Sequence, residues 1–97
     1  MLIDNRNYKL YDCLVQSYVW KEETNILILS CQYLDRGATK IALRKVCDSE
    51  CLELLINHVI EYVVCSYDAE KKACCYEIHL RSLSETAKVW AGSMEFF

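Results

Sequence analysis

Asp48-Ser49-Glu50-Cys51-Leu52-Glu53-Leu54-Leu55-Ile56-Asn57-His58-Val59-Ile60-Glu61-Tyr62-Val63-Val64-Cys65 is the run on which the fold turns. Placed at about 100° per residue, Cys51, Leu52, Leu55, Ile56, Val59, Ile60, Tyr62 and Val63 gather on one side, with Glu50, Glu53, Leu54, Asn57 and Glu61 on the other. Asp48 or Ser49 can accept a hydrogen bond from an orphan N–H at the start of a helix, and Glu50 and Glu53 fall where the helix dipole favours negative charge. The spacing therefore predicts an amphipathic helix over residues 49–65, apolar on one face and acidic on the other.

Outward from that run the periodicity changes to two. Tyr8 to Trp20 places Tyr11, Cys13, Val15 and Val19 on one parity, as a strand does. Lys21-Glu22-Glu23-Thr24 is a polar turn. Asn25 to Tyr33 is apolar on both parities, as a central strand is. Asp35-Arg36-Gly37 turns the chain into a third strand, Ala38 to Val46. Beyond the polar loop Ser66 to Lys72, Ala73 to Arg81 alternates, with Cys74, Tyr76, Ile78 and Leu80 on one side and Cys75, Glu77, His79 and Arg81 on the other. Residues 84–97 suit either a short helix or a last strand hairpinned to Ala73–Arg81, and the strand fits better. The expected fold class is α+β: an antiparallel sheet of four to five strands in the order β-β-β-α-β-β, with one amphipathic helix packed on one face.

The chain has 97 residues, enough for one core and so a single domain over 1–97. Hydrophobic residues reach 54% and charged residues 26%, which argues against disorder, and no apolar run is long enough to span a bilayer. The net charge of −3 conceals a segregation: Val46 to Glu70 holds six acids and no Lys or Arg, leaving eight acids and eleven bases elsewhere. Seven cysteines, no proline and two glycines would suggest a disulfide framework in a secreted chain. The start Met1-Leu2-Ile3-Asp4-Asn5-Arg6 lacks a leader pattern, so a cytoplasmic protein with reduced thiols is expected.

No residue pattern here points to catalysis. Cys47 and Cys51 have a permitted zinc spacing, but Cys74 and Cys75 point to opposite faces of a strand, so with His58 or His79 they make no second knuckle. Two isolated glycines exclude phosphate-binding loops. Arg36, Lys40, Arg44 and Lys45 form a basic cluster, yet a pI near 5.3 disfavours nucleic acid. The expectation is therefore no catalytic residue, no cofactor and no metal, with a metal- or small-molecule-binding domain using Cys/His residues as the alternative and a nucleic-acid-binding module as the second.

Protein contact fits the composition better, since seven Tyr and two Trp are good anchors. Leu14, Tyr18 and Trp20 need cover that one helix does not supply, and Glu50, Leu54, Asn57 and Glu61, with Glu53 beside them, make an acidic stripe suited to a basic groove. The predicted partner-binding residues are thus Glu50, Glu53, Leu54, Asn57, Glu61, Tyr18 and Trp20. The partner is a larger protein, itself a nucleic-acid binder in one version, or a second copy in a homodimer. In size, acidity and lack of motifs the chain resembles, in type only, phage-encoded inhibitors of host defence, anti-CRISPR proteins among them, and bacterial immunity proteins. That resemblance implies an inhibitor that occludes a partner's surface in the host cytosol.

Overall fold

Val59–Asp68 is a strand, the longest among the described residues, and no α-helix occurs among them. The computed structural model describes residues 12–35 and 37–96. The strands are β1 (Cys13–Lys21), β2 (Ile26–Tyr33), β3 (Ala38–Arg44), β4 (Asp48–Glu50), β5 (Val59–Asp68), β6 (Ala73–Leu80), β7 (Thr86–Ala91) and β8 (Ser93–Phe96). All pair antiparallel in one sheet of order β4-β7-β6-β5-β1-β2-β3-β8. The fold is therefore nearly all-β, and the α+β expectation with its amphipathic helix is overturned.

The physical reason lies in Val59-Ile60-Glu61-Tyr62-Val63-Val64-Cys65. β-branched and aromatic side chains lose rotamer freedom in a helix and pack well on a pleated surface. The register of β5 against β6 jumps between Ile60 and Tyr62, so Glu61 is an extra, bulged residue. That bulge puts Ile60, Val63 and Cys65 all inward, and all three are buried. A step of three followed by a step of two imitates helical spacing. Among the described residues only Leu52–Leu55 coils, as a single 3-10 turn entered through Cys51 at φ 59°. It carries Leu55, which is fully buried, into the core.

The two ends of the sheet belong to the same stretches of chain. β3 runs on through Lys45 into β4, and β7 through Gly92 into β8. β3 pairs with β8 while β4 pairs with β7. Between those pairings Gly92 N donates to Arg44 O at 2.8 Å and Cys47 N to Trp90 O at 2.9 Å. The ring of hydrogen-bonded strands thus closes into a barrel, made of the meanders β1-β2-β3 and β5-β6-β7 joined at bent corners. At one corner a Cβ on Gly92 would lie 3.2 Å from the Lys45 Cβ, a closeness that favours glycine there.

The core fills the barrel. Cys13, Val15, Leu27, Leu29, Ile41, Leu43, Ile60, Val63, Ile78, Leu80 and Val89 are all buried in one cluster, with Tyr18, Leu52, Leu54 and Met94 packed against it. A second, smaller cluster of Ala73, Cys75 and Trp90 lies apart from it. Cys75 pairs with Trp90 and Tyr76 with Val89, and successive strand residues face opposite sides, so this cluster sits on the outer surface.

Lys72 ends the β5–β6 turn at φ 53°, a left-handed conformation costly for a side chain bearing a Cβ. Lys72→Gly should raise the unfolding free energy by about 0.5–1 kcal/mol, net of the greater freedom glycine has when unfolded. A urea titration with unchanged slope and a later midpoint would show it; an earlier midpoint would show the strain is relieved some other way.

Candidate interaction surface

Among the described residues, β1 has a partner along one side only for most of its length. Its pairing with β2 runs from Cys13 to Lys21, whereas its pairing with β5 stops after Leu14. Two further bonds, Val15 N to His58 O at 3.0 Å and Asn57 N to Val15 O at 2.8 Å, complete that seam. Beyond Val15, Gln16 is bulged, and Ser17 resumes opposite Ser30.

The direction of each backbone group beyond the bulge follows from β2. Leu34 N donates to Asp12 O and Tyr33 N to Gly37 O, so even-numbered residues of β2 bond toward β1 and odd-numbered ones toward β3. Ser17, Val19 and Lys21 lie opposite Ser30, Ile28 and Ile26 and engage β2. Tyr18 and Trp20 alternate with them and aim N–H and C=O away from β2, where the described residues supply no strand. Their side chains, opposite buried Leu29 and Leu27, belong to the inner face. Tyr18 is half-buried against the core, but Trp20 is 41% exposed, and Val19 on the outer face is 52% exposed. An open strand edge flanked by a large aromatic and an apolar residue results.

The other predicted residues are dispersed. Glu50 sits in β4 opposite Lys88. Glu53 is exposed on the 3-10 turn while its neighbour Leu54 packs against the core. Asn57 is exposed with φ 64°, and Glu61 projects from the β5 bulge. Without a helix there is no acidic stripe, so the surface expected from Glu50, Leu54, Asn57 and Glu61 is corrected to separate carboxylates on β4, the 3-10 turn and β5. Sequence reasoning selected Tyr18 and Trp20 as side chains wanting cover but missed Val19, because the Gln16 bulge reverses the parity of β1.

The remaining polar clusters have structural partners. Trp90 is 7% exposed, donates from Nε1 to Asp68 Oδ2 at 3.0 Å, and lies with its ring centroid 4.8 Å from Lys71 Nζ. Lys71 also pairs with Asp48 at 2.7 Å, which holds the Asp48 carboxyl below the usual range and raises the Lys71 ammonium. Asp68 is lowered chiefly by the backbone N–H of Lys71. Arg44, in the basic cluster, pairs with Glu95 at 3.0 Å, while Arg36 lies outside the described residues. Tyr62 stacks on His79 with centroids 4.3 Å apart, and His79 Nε2 lies 3.1 Å from Glu77 Oε1.

No disulfide links the seven cysteines, and no group of three or more His, Cys, Asp or Glu among the described residues is placed to hold a metal ion. Cys13, Cys31, Cys65 and Cys75 are buried, and Cys47 and Cys51 are exposed. The Cys31 thiol is pushed far up by its hydrogen bond with Cys13 and by burial, so it stays protonated. Cys75 is pushed up mainly by burial. His58 Nδ1 is buried without a hydrogen-bond partner among the described residues. A groove of about 380 Å³ is lined by Gln16, Ser30, Cys31, Ala38, Thr39 and Lys40, and Lys40 is its only charged residue.

No helix among the described residues is long and apolar enough to cross a membrane. The likeness in type to anti-CRISPR and other phage-encoded inhibitors, and the homodimer, find no support and are withdrawn along with the α+β description. No protein-family model, curated protein or solved structure matches the chain.

Proposed function

We propose that this is a protein-binding module that acts by contact rather than catalysis, covering part of a larger protein through the exposed edge of β1. One observation carries the reading: Tyr18 and Trp20 direct backbone donors and acceptors outward on a strand edge that also exposes Val19 at 52% and Trp20 at 41%. Aromatic anchors beside outward-directed backbone groups supply both apolar area and hydrogen bonds to a partner. A reducing, cytoplasmic setting suits seven cysteines without a bridge.

The test compares the wild-type chain with Val19→Asp/Trp20→Asp in affinity capture from cells, after circular dichroism has shown the same β-sheet spectrum for both. Both positions are exposed, so the fold should survive the exchange. A protein retained by the wild type and lost, at least tenfold, by the variant is the expected outcome, a loss of about 1.4 kcal/mol or more. Identical captured sets would remove the β1 edge from the function.

A further inference from the structure

We infer that the groove on the outer face of β1, β2 and β3 is a binding site for a phosphate monoester, held by Lys40, Ser30 and Gln16; this goes beyond the protein-binding reading and does not rest on it. Register places the three together. Ser30 stands directly opposite Lys40 of β3 and Ser17 of β1, and Gln16 is the extra residue of the bulge immediately before Ser17. Leu29 and Ile41, the chain neighbours of Ser30 and Lys40, are buried in the core, so Ser30 and Lys40 belong to the outer face. Opposite residues of an antiparallel pair hold their Cβ atoms about 4.5–5.5 Å apart, close enough for both side chains to touch one ligand. The bulge adds Gln16, a side chain that an unbroken ladder would not supply.

Space is the second observation. Besides these three, only Cys31, Ala38 and Thr39 line the groove, whose volume of about 380 Å³ lies within the range of about 300–1,000 Å³ for small-ligand sites. One step along the same face Val19 stands opposite Ile28, and Val19 is 52% exposed. A polar floor therefore adjoins an apolar ledge, which suits an anionic group carried on an organic one.

The third is an unmatched charge. Lys40 is the only charged residue of the lining, it is exposed, and its side chain has no hydrogen bond or ion pair among the described residues, nor have those of Ser30 and Gln16. The carboxylates nearest along the register are engaged elsewhere: Glu95, opposite Ala42, accepts from Arg44 at 3.0 Å, and Asp35, in the turn between β2 and β3, has interactions of its own. Lys21, opposite Ile26, is a further cation at the far end of this face, with Glu22 and Glu23 in the turn beyond it. An ammonium, a hydroxyl and an amide thus offer donors from three strands to one space. A phosphate monoester presents three strong acceptor oxygens and close to two negative charges, and lysine serves phosphate as a point charge, whereas a planar carboxylate is better matched by the arginine fork.

The probe is phenyl phosphate, titrated into the full chain and followed by amide NMR. Expected are saturable shifts centred on residues 16–17, 30–31 and 38–40. Lys40→Gln should weaken binding at least about tenfold and Ser30→Ala several-fold, both with the wild-type circular dichroism spectrum. Lys72→Gln, which removes the same charge at the β5–β6 turn, should leave binding unchanged. Benzoate, with the same ring on a carboxylate, should bind at least about tenfold more weakly than phenyl phosphate. A peptide with a central phosphoserine is the second probe. Binding at least about tenfold tighter than that of phenyl phosphate, with the same dependence on Lys40, would assign the phosphate to a modified protein, and equal or weaker binding would assign it to a small molecule.

Shifts located elsewhere, or no binding of either phosphate probe, would overturn the proposal. So would an equal loss in Lys72→Gln and Lys40→Gln, which would reduce the effect to net charge. Equal binding of benzoate would overturn the assignment to phosphate.

Discussion

Replacing Leu55 by alanine should lower the unfolding free energy by about 3 kcal/mol, within the range of about 2–5 kcal/mol for emptying a fully buried leucine site. Leu55 is 0% exposed and is held by a 3-10 turn rather than by a strand. The turn, between β4 and β5 in the chain, carries it into the core cluster. Glu53→Ala, two residues away and exposed, is the control and should change stability by less than about 0.5 kcal/mol. Chemical denaturation of the two variants decides the matter. A Leu55→Ala loss as small as that of Glu53→Ala would mean that Leu55 is not a tightly packed part of the core.

The second large effect concerns Trp90, which is only 7% exposed although it lies on the outer face of the barrel. Trp90→Ala should cost about 3–4 kcal/mol by uncovering Ala73 and Cys75 and removing the ring beneath Lys71. Trp90→Phe retains most of the apolar area and loses the bond to Asp68, so its cost should be clearly smaller. The same array gives the fold an acid limit. Asp48 and Asp68 are held below their ordinary range when folded, so their contribution is present above the unfolded carboxylate pKa and is lost as pH falls through the lowered folded values. The melting temperature should therefore decline as pH falls below the ordinary carboxylate range, and Asp68→Asn should flatten that decline. An unaltered pH profile in Asp68→Asn would show that other carboxylates set the limit.

Where strands alternated without interruption, sequence and structure agree. Tyr76, Ile78 and Leu80 face the core as the alternation of Ala73–Arg81 implies, and the hairpin of β6 with β7 favours the strand reading of the C-terminal segment. The misreadings sit at the bulges. An extra residue at Glu61 turned two-residue steps into a helix-like pattern, and one at Gln16 moved Val19 to the outside and Trp20 to the inside. A bulge has no residue signature of its own in this chain, being set by how two distant strands fit together. Barrel closure was equally hidden, since alternation shows which side of a strand is apolar but not which strand lies beside it. The proposed interaction edge was half legible: Tyr18 and Trp20 stood out as aromatic, whereas the direction of their backbone groups exists only once β2 is in place.

The bent corners impose an order on folding. β1-β2-β3 and β5-β6-β7 are each built from neighbours along the chain, which assemble fast because little loop entropy is lost. Ile41, by contrast, pairs early with Leu29 on one side but finds its partner on the other side only in Phe96. During synthesis the third strand must therefore wait, its far side open to misassociation, until the ribosome has released nearly everything described here. The final stretch Ser93–Phe96 then acts as a latch, and a nascent chain stalled before it would hold two half-shells joined only through the short β1–β5 seam and the β4–β7 pairing.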